Sequence, residues 1–152
     1  MAQAGAAVHV LCYTHGEAST LNETGVSLHA ARSRELALAS AELGVATVDL
    51  LDYGDGQLSA VPCGQLAAHV LAAAGQYRPD GLLVFDETGI TGHPDHQAAT
   101  AAARGAGSSA GLPVLAWALP DDVGAQLRQE TGQPFTGQPP CRIDYRLPGR
   151  RR

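Results

Sequence analysis

The sequence predicts an α/β fold: an open, mostly parallel, Rossmann-like sheet with helices on both faces. Three observations carry that reading. Short apolar, β-rich runs recur at residues 8–14 (VHVLCYT), 45–51 (VATVDLL), 82–85 (LLVF) and 113–117 (PVLAW), as expected of strands buried on both sides. Segments of helical length separate them, the spacing that right-handed crossovers between parallel strands require. Acid- and glycine-bearing loops follow the strands' carboxyl ends, where open α/β sheets bind ligands. With 152 residues, 45% of them apolar, one domain over residues 1–152 buries a sizeable core.

The elements follow in order. After the first strand comes the loop THGEAST (14–20), extended by ETG (23–25). Residues 27–43 read as a helix with Leu28, Leu36, Ala39 and Leu43 on one face, Arg32 on the same stripe, and Gly44 as its stop. The second strand runs into the turn-rich DYGDGQL. Residues 63–74 form an Ala- and Leu-rich helix ending at Gly75. The strand 82–85 leads through an acidic loop to His93-Pro94-Asp95-His96, which opens an Ala-rich helix to about Arg104. Proline at the first helical position is preorganised for a helix start, and Asp95 in the first turn suits the dipole. A flexible connection (105–111), the fourth strand, a helix over 122–130 and an edge strand over 141–147 complete the chain, ending in a solvated GRRR tail.

Composition removes whole classes of function. The net charge of −5 argues against nucleic acid as a partner. All ten basic residues are arginine, so a P-loop lysine, a Schiff base and a Ser-Lys pair are excluded. Cys12, Cys63 and Cys141 are odd in number and widely spaced, which fits a reducing compartment rather than a disulfide frame. No apolar run approaches the ~18 residues of a membrane span. The expectation is a soluble cytoplasmic protein.

The candidate chemistry gathers at carboxyl ends of strands. His93 and His96, three apart at a helix mouth, can aim at one point. Spacing alone is also satisfied by helix-start histidines bonded to their own loop. Asp95 can fix a ring tautomer, or simply be a favourable first-turn acid. Glu17 can accept hydrogen bonds from ligand hydroxyls, or be a solvated loop acid. Arg32 must snorkel out or find a partner, and Glu35 is in reach. Asp86 and Glu87 either line a pocket or hold a turn, Asp52, Tyr53 and Asp55 read mostly as turn architecture, and His15 reads as loop surface.

GHPDHQAA after a strand and an acidic loop resembles the second signature of the LmbE/PIG-L family of zinc-dependent N-acetylglucosaminyl deacetylases. Gly16-Glu17, Arg32-x-x-Glu35-Leu36 and the Asp52-Tyr53 turn are similar to further family segments, and the likeness covers roughly residues 8–145. It implies a zinc-dependent hydrolase removing acetyl from an N-acetylglucosamine-type amino sugar or related amide. It further implies Zn2+ as cofactor with His96 as metal ligand, His93 beside the reacting carbonyl with Asp95 orienting one of the rings, and Glu17 and Arg32 toward the sugar. The family's first strand, ending in a His-Pro-Asp-Asp-Glu-like segment with two further zinc ligands and the general base, has no match here. The resemblance starts at the family's second strand, which implies that Met1 is an internal methionine of a longer protein and that the C-terminus comes early. The alternative is a catalytically inactive truncated copy serving as a ligand- or protein-binding module. A first strand lacking a neighbour would leave residues 8–14 as an open apolar edge or at a homo-oligomer seam.

Overall fold

The computed structural model describes residues 5–17 and 28–145. The loop parts 18–20 and 23–25, residue 27 of the expected first helix, and the GRRR tail lie outside these residues. Among the described residues, six strands and five helices alternate: β1 (His9–Cys12), α1 (Leu28–Leu43), β2 (Thr47–Leu50), α2 (Cys63–Tyr77), β3 (Leu82–Phe85), the one-turn α3 (Gly89–Gly92), α4 (Pro94–Ala110), β4 (Val114–Trp117), β5 (Leu119–Pro120), α5 (Asp121–Thr131) and β6 (Gly137–Gln138). Every strand pair is parallel, as the crossovers require. The sheet comes as three pairs, β1 with β2, β3 with β4, and β5 with β6.

The core lies where α2 and α4 pack together over β3. Leu66 and Val70 of α2 meet Ala102, Ala103 and Ala106 of α4, with Tyr13 and Leu58 closing the cluster. Small residues let α4 approach closely. A Cβ on Gly107 would lie 2.6 Å from Val114 Cγ2, so glycine there is a packing requirement. This corrects the expected flexible connection after Arg104: α4 continues to Ala110 and is capped by Gly111 in the left-handed conformation. Likewise α2 does not stop at Gly75. It reaches Tyr77, and Arg78 (φ +48) takes the capping role before Pro79.

Two further expectations fail for physical reasons. Within 141–145, the described part of the expected edge strand over 141–147, the chain forms no strand and begins in a 3-10 turn, Pro140–Arg142, because the Pro139-Pro140 pair fixes φ and lacks the amides a ladder needs. In α1 no residue is buried: Leu28 and Leu36 are half-covered, whereas Ala39 and Leu43 face solvent. Strand β1 is paired on one side by β2. Its residues and those of β3 together line an apolar cleft of about 540 Å³ floored by Val70, Ala73 and Ala103. Among the described residues no strand bridges β1 and β3.

Candidate active site

At the carboxyl ends of β1 and β2 and the mouth of α4 lies an open cavity of about 440 Å³. Its walls are His93, Asp95 and His96 on one side and Arg32, Glu35 and Leu36 of α1 on the other, with His15 and Asp55 between them.

The α4 wall is built on a strained loop. Asp86, buried at the end of β3, accepts from Thr88 N (3.1 Å), Thr88 Oγ1 (2.5 Å) and Gln138 Nε2 (2.9 Å). It therefore holds a turn and is absent from the cavity wall. Ile90, β-branched and buried, sits at φ +68, a conformation costing on the order of 1–3 kcal/mol. Its carbonyl is held by Thr136 N at 2.6 Å. The result is that the Gly89 carbonyl is aimed at the helix mouth, 3.0 Å from His96 Nδ1.

That contact fixes the His96 tautomer. A carbonyl only accepts, so Nδ1 carries the proton and Nε2 keeps its lone pair. His93 is the reverse. As N-cap of α4, its Nδ1 accepts from the backbone N–H of Asp95 at 3.3 Å, which puts the proton of the neutral ring on Nε2. The rings stack with centroids 4.8 Å apart, and Phe85 supports His96 at 4.4 Å. One imidazole thus offers a lone pair and its neighbour an N–H.

Asp95, 4% exposed, spends its carboxylate elsewhere: Oδ2 accepts from Gly56 N (2.7 Å) and Oδ1 from Leu58 N (3.0 Å). It does not accept from either ring. It pins the 56–58 turn to α4 and touches His93 through its backbone amide alone.

On the opposite wall Arg32 bonds Glu35 at 2.6 Å and neither snorkels free nor lies on a buried stripe. Glu17 does not itself line the cavity; it follows Gly16 (φ +73), which does, in the loop beyond β1. Its Oε1 accepts from Asp55 N at 3.0 Å, and that backbone donor holds the carboxyl below its ordinary value. Its Oε2 is shielded from solvent with no hydrogen-bond partner among the described residues. An orphaned carboxylate oxygen of this kind suits a ligand hydroxyl.

Sequence reasoning missed His15. Its side chain is 7% exposed rather than loop surface, lines the cavity, and meets Asp52 at 2.8 Å. The signal available was its position directly beyond a buried strand. Among the described residues the three-donor cluster is His15, His29 and Asp52, and it does not include His93 or His96.

A family model, PIG-L: GlcNAc-PI de-N-acetylase, matches residues 1–106. No curated protein matches the chain in sequence. Among solved structures, a deacetylase triple mutant (Orf2*T) involved in the teicoplanin biosynthetic pathway has a TM-score of 0.61 at 23% identity, covering 76% of this chain and 53% of that one. The conserved protein TT1542 from Thermus thermophilus has a TM-score of 0.56 at 27% identity, covering 88% and 52%. The A40926 pseudoaglycone deacetylase Dbv21 gives 0.56 at 23%, covering 76% and 53%. The chain spans about half the length of these structures, which share its fold.

Proposed function

Because the chain belongs to the PIG-L family of de-N-acetylases, we propose that its cavity takes an N-acetyl amino sugar or related amide and serves removal of the acetyl group. The observation that carries this reading is the opposite tautomers of His93 and His96. In amide hydrolysis water adds to the acetyl carbon, the C–N bond breaks, and acetate and the protonated amine leave. Negative charge grows on the carbonyl oxygen, and the Nε2–H of His93 is the donor suited to it. Arg32 on the cavity wall gives the sugar hydroxyls a donor, and Glu17, behind Gly16 of that wall, gives them an acceptor once the ligand uncovers its shielded Oε2. Asp95, with both oxygens engaged, is a positioning residue rather than a general base.

Zinc is the metal the family implies, and His96 Nε2 has the lone pair a ligand needs. A catalytic zinc takes three protein ligands and a water, and the described residues around His96 do not supply three. They do not fit that centre by themselves. The same incompleteness supports a second reading, a module that binds the N-acetyl compound without cleaving it.

One assay separates the two readings. The chain is incubated with N-acetylglucosamine and Zn2+, with acetate release and ligand binding both followed by NMR. Under the deacetylase reading, acetate appears, His96→Ala abolishes it, and His93→Ala lowers the rate by about 10²–10³. Saturable binding with no acetate supports the module. Absence of both sinks the site.

A further inference from the structure

A second cluster lies at the rim of the same cavity and is used by neither reading. His15 follows β1, Asp52 follows β2 and His29 lies in the first turn of α1. His15 Nε2 is 2.8 Å from Asp52 Oδ1, and His29 Nε2 is 3.6 Å from the same oxygen. One ligand atom from each of the three lies within 4.8 Å of the others.

Hydrogen bonding makes this cluster unusual. Ser33 Oγ lies 2.9 Å from the His29 carbonyl oxygen and 2.9 Å from His15 Nδ1. Its single proton goes to one of the two: given to the carbonyl, it leaves Nδ1 to carry the ring proton; given to Nδ1, it leaves the ring proton on Nε2. In the first arrangement the Nε2 lone pair of a neutral His15 faces a carboxylate oxygen at 2.8 Å; in the second Nε2–H donates to that oxygen. A metal ion held between Nε2 and Asp52 selects the first arrangement, with the ring proton on Nδ1. The Ser33 contact is also what a metal-bound imidazole uses to fix its ring.

We propose that His15, His29 and Asp52 form a binding site for a first-row divalent cation, Zn2+ or Co2+, distinct from His96. Two imidazoles and a carboxylate suit these ions. Around a tetrahedral zinc with bonds of about 2.0–2.1 Å, neighbouring ligand atoms stand about 3.3 Å apart, and the two distances to Asp52 Oδ1, 2.8 and 3.6 Å, bracket that value. His15, with its side chain 7% exposed, is the fixed ligand. The His15 and His29 rings stack at 3.5 Å, so an ion between them requires the His29 ring to turn about its own torsions, which its exposed position allows. The remaining coordination positions face solvent at the rim, open to water or to an anionic group of a ligand. This site does not depend on the deacetylase reading.

The test is a Co2+ titration of the full chain followed by visible absorption, with Zn2+ competition and circular dichroism as a folding control. The wild type is expected to take one ion with d–d bands. His29→Ala and Asp52→Asn, both exposed and tolerant positions, each weaken binding tenfold or more, and Ser33→Ala weakens it about tenfold or more through the lost ring contact. His96→Ala binds as wild type. No uptake would overturn the proposal and leave the cluster a hydrogen-bonded histidine–carboxylate pair. Uptake untouched by His29→Ala and Asp52→Asn, or lost in His96→Ala alone, would overturn it as well.

Discussion

The two walls of the cavity are built to different standards. The α4 wall grows from the best-packed part of the molecule: its helix carries six buried residues, and the loop before it is cross-tied by Asp86 and strained at Ile90. The α1 wall rests on a helix with none buried. Imidazoles that must hold a tautomer sit on the first wall, while Arg32, Glu35 and His29, which can serve by reaching, sit on the second. Residues whose chemistry depends on direction need a rigid scaffold, whereas contacts to a variable ligand tolerate a pliant one.

The contrast breaks most visibly in the core. Leu66→Ala empties a fully buried position between α2 and α4 and is expected to cost about 2–5 kcal/mol in denaturant unfolding. The smaller step is Asp95→Asn. It removes the charge from two backbone hydrogen bonds in a site 4% exposed and is expected to cost about 1.5–3 kcal/mol. The pairing of α4 with residues 56–58 should loosen with it, seen as faster amide exchange at Gly56 and Leu58.

Much of this was legible in the chain. Four apolar runs yielded four strands, and Pro94 after His93 marked the start of α4 because proline there costs nothing. What was not legible has a common cause. Gly105 and Gly107 read as breakers, yet the tertiary packing of Gly107 against Val114 overrides their weak helix propensity. Arg78 ends α2 in a conformation that sequence rules assign to glycine. The positive φ of Ile90, which aims the Gly89 carbonyl, is held by Asp86 four residues before it and by Thr136, distant in sequence. His15 was misread for the same reason, since its partners Asp52 and Ser33 become neighbours only when β1, β2 and α1 assemble.

Two gentler perturbations sharpen the comparison. Glu17 has its folded-state pKa depressed from the ordinary 4.5, chiefly by the Asp55 amide. Its contribution to stability is therefore full above that value and lost as pH falls through the lower folded-state value. Glu17→Gln should flatten stability against pH in that acidic window and lower it at neutral pH, where the ionised carboxylate contributes in full, the two proteins converging as pH falls. At the bottom of the scale, Leu38→Ala on α1, 60% exposed, should change stability by no more than about 0.5 kcal/mol. A loss there comparable with Leu66→Ala would mean that α1 carries core packing after all.

The most direct measurement is of the two imidazoles themselves, by 15N NMR of the histidine side chains above their titration range. His96 is expected as the Nδ1–H form with a bare Nε2, and His93 as the Nε2–H form with a bare Nδ1. The same tautomer at both rings, or free exchange between forms at His96, would contradict the division of a lone pair and a donor at the mouth of α4.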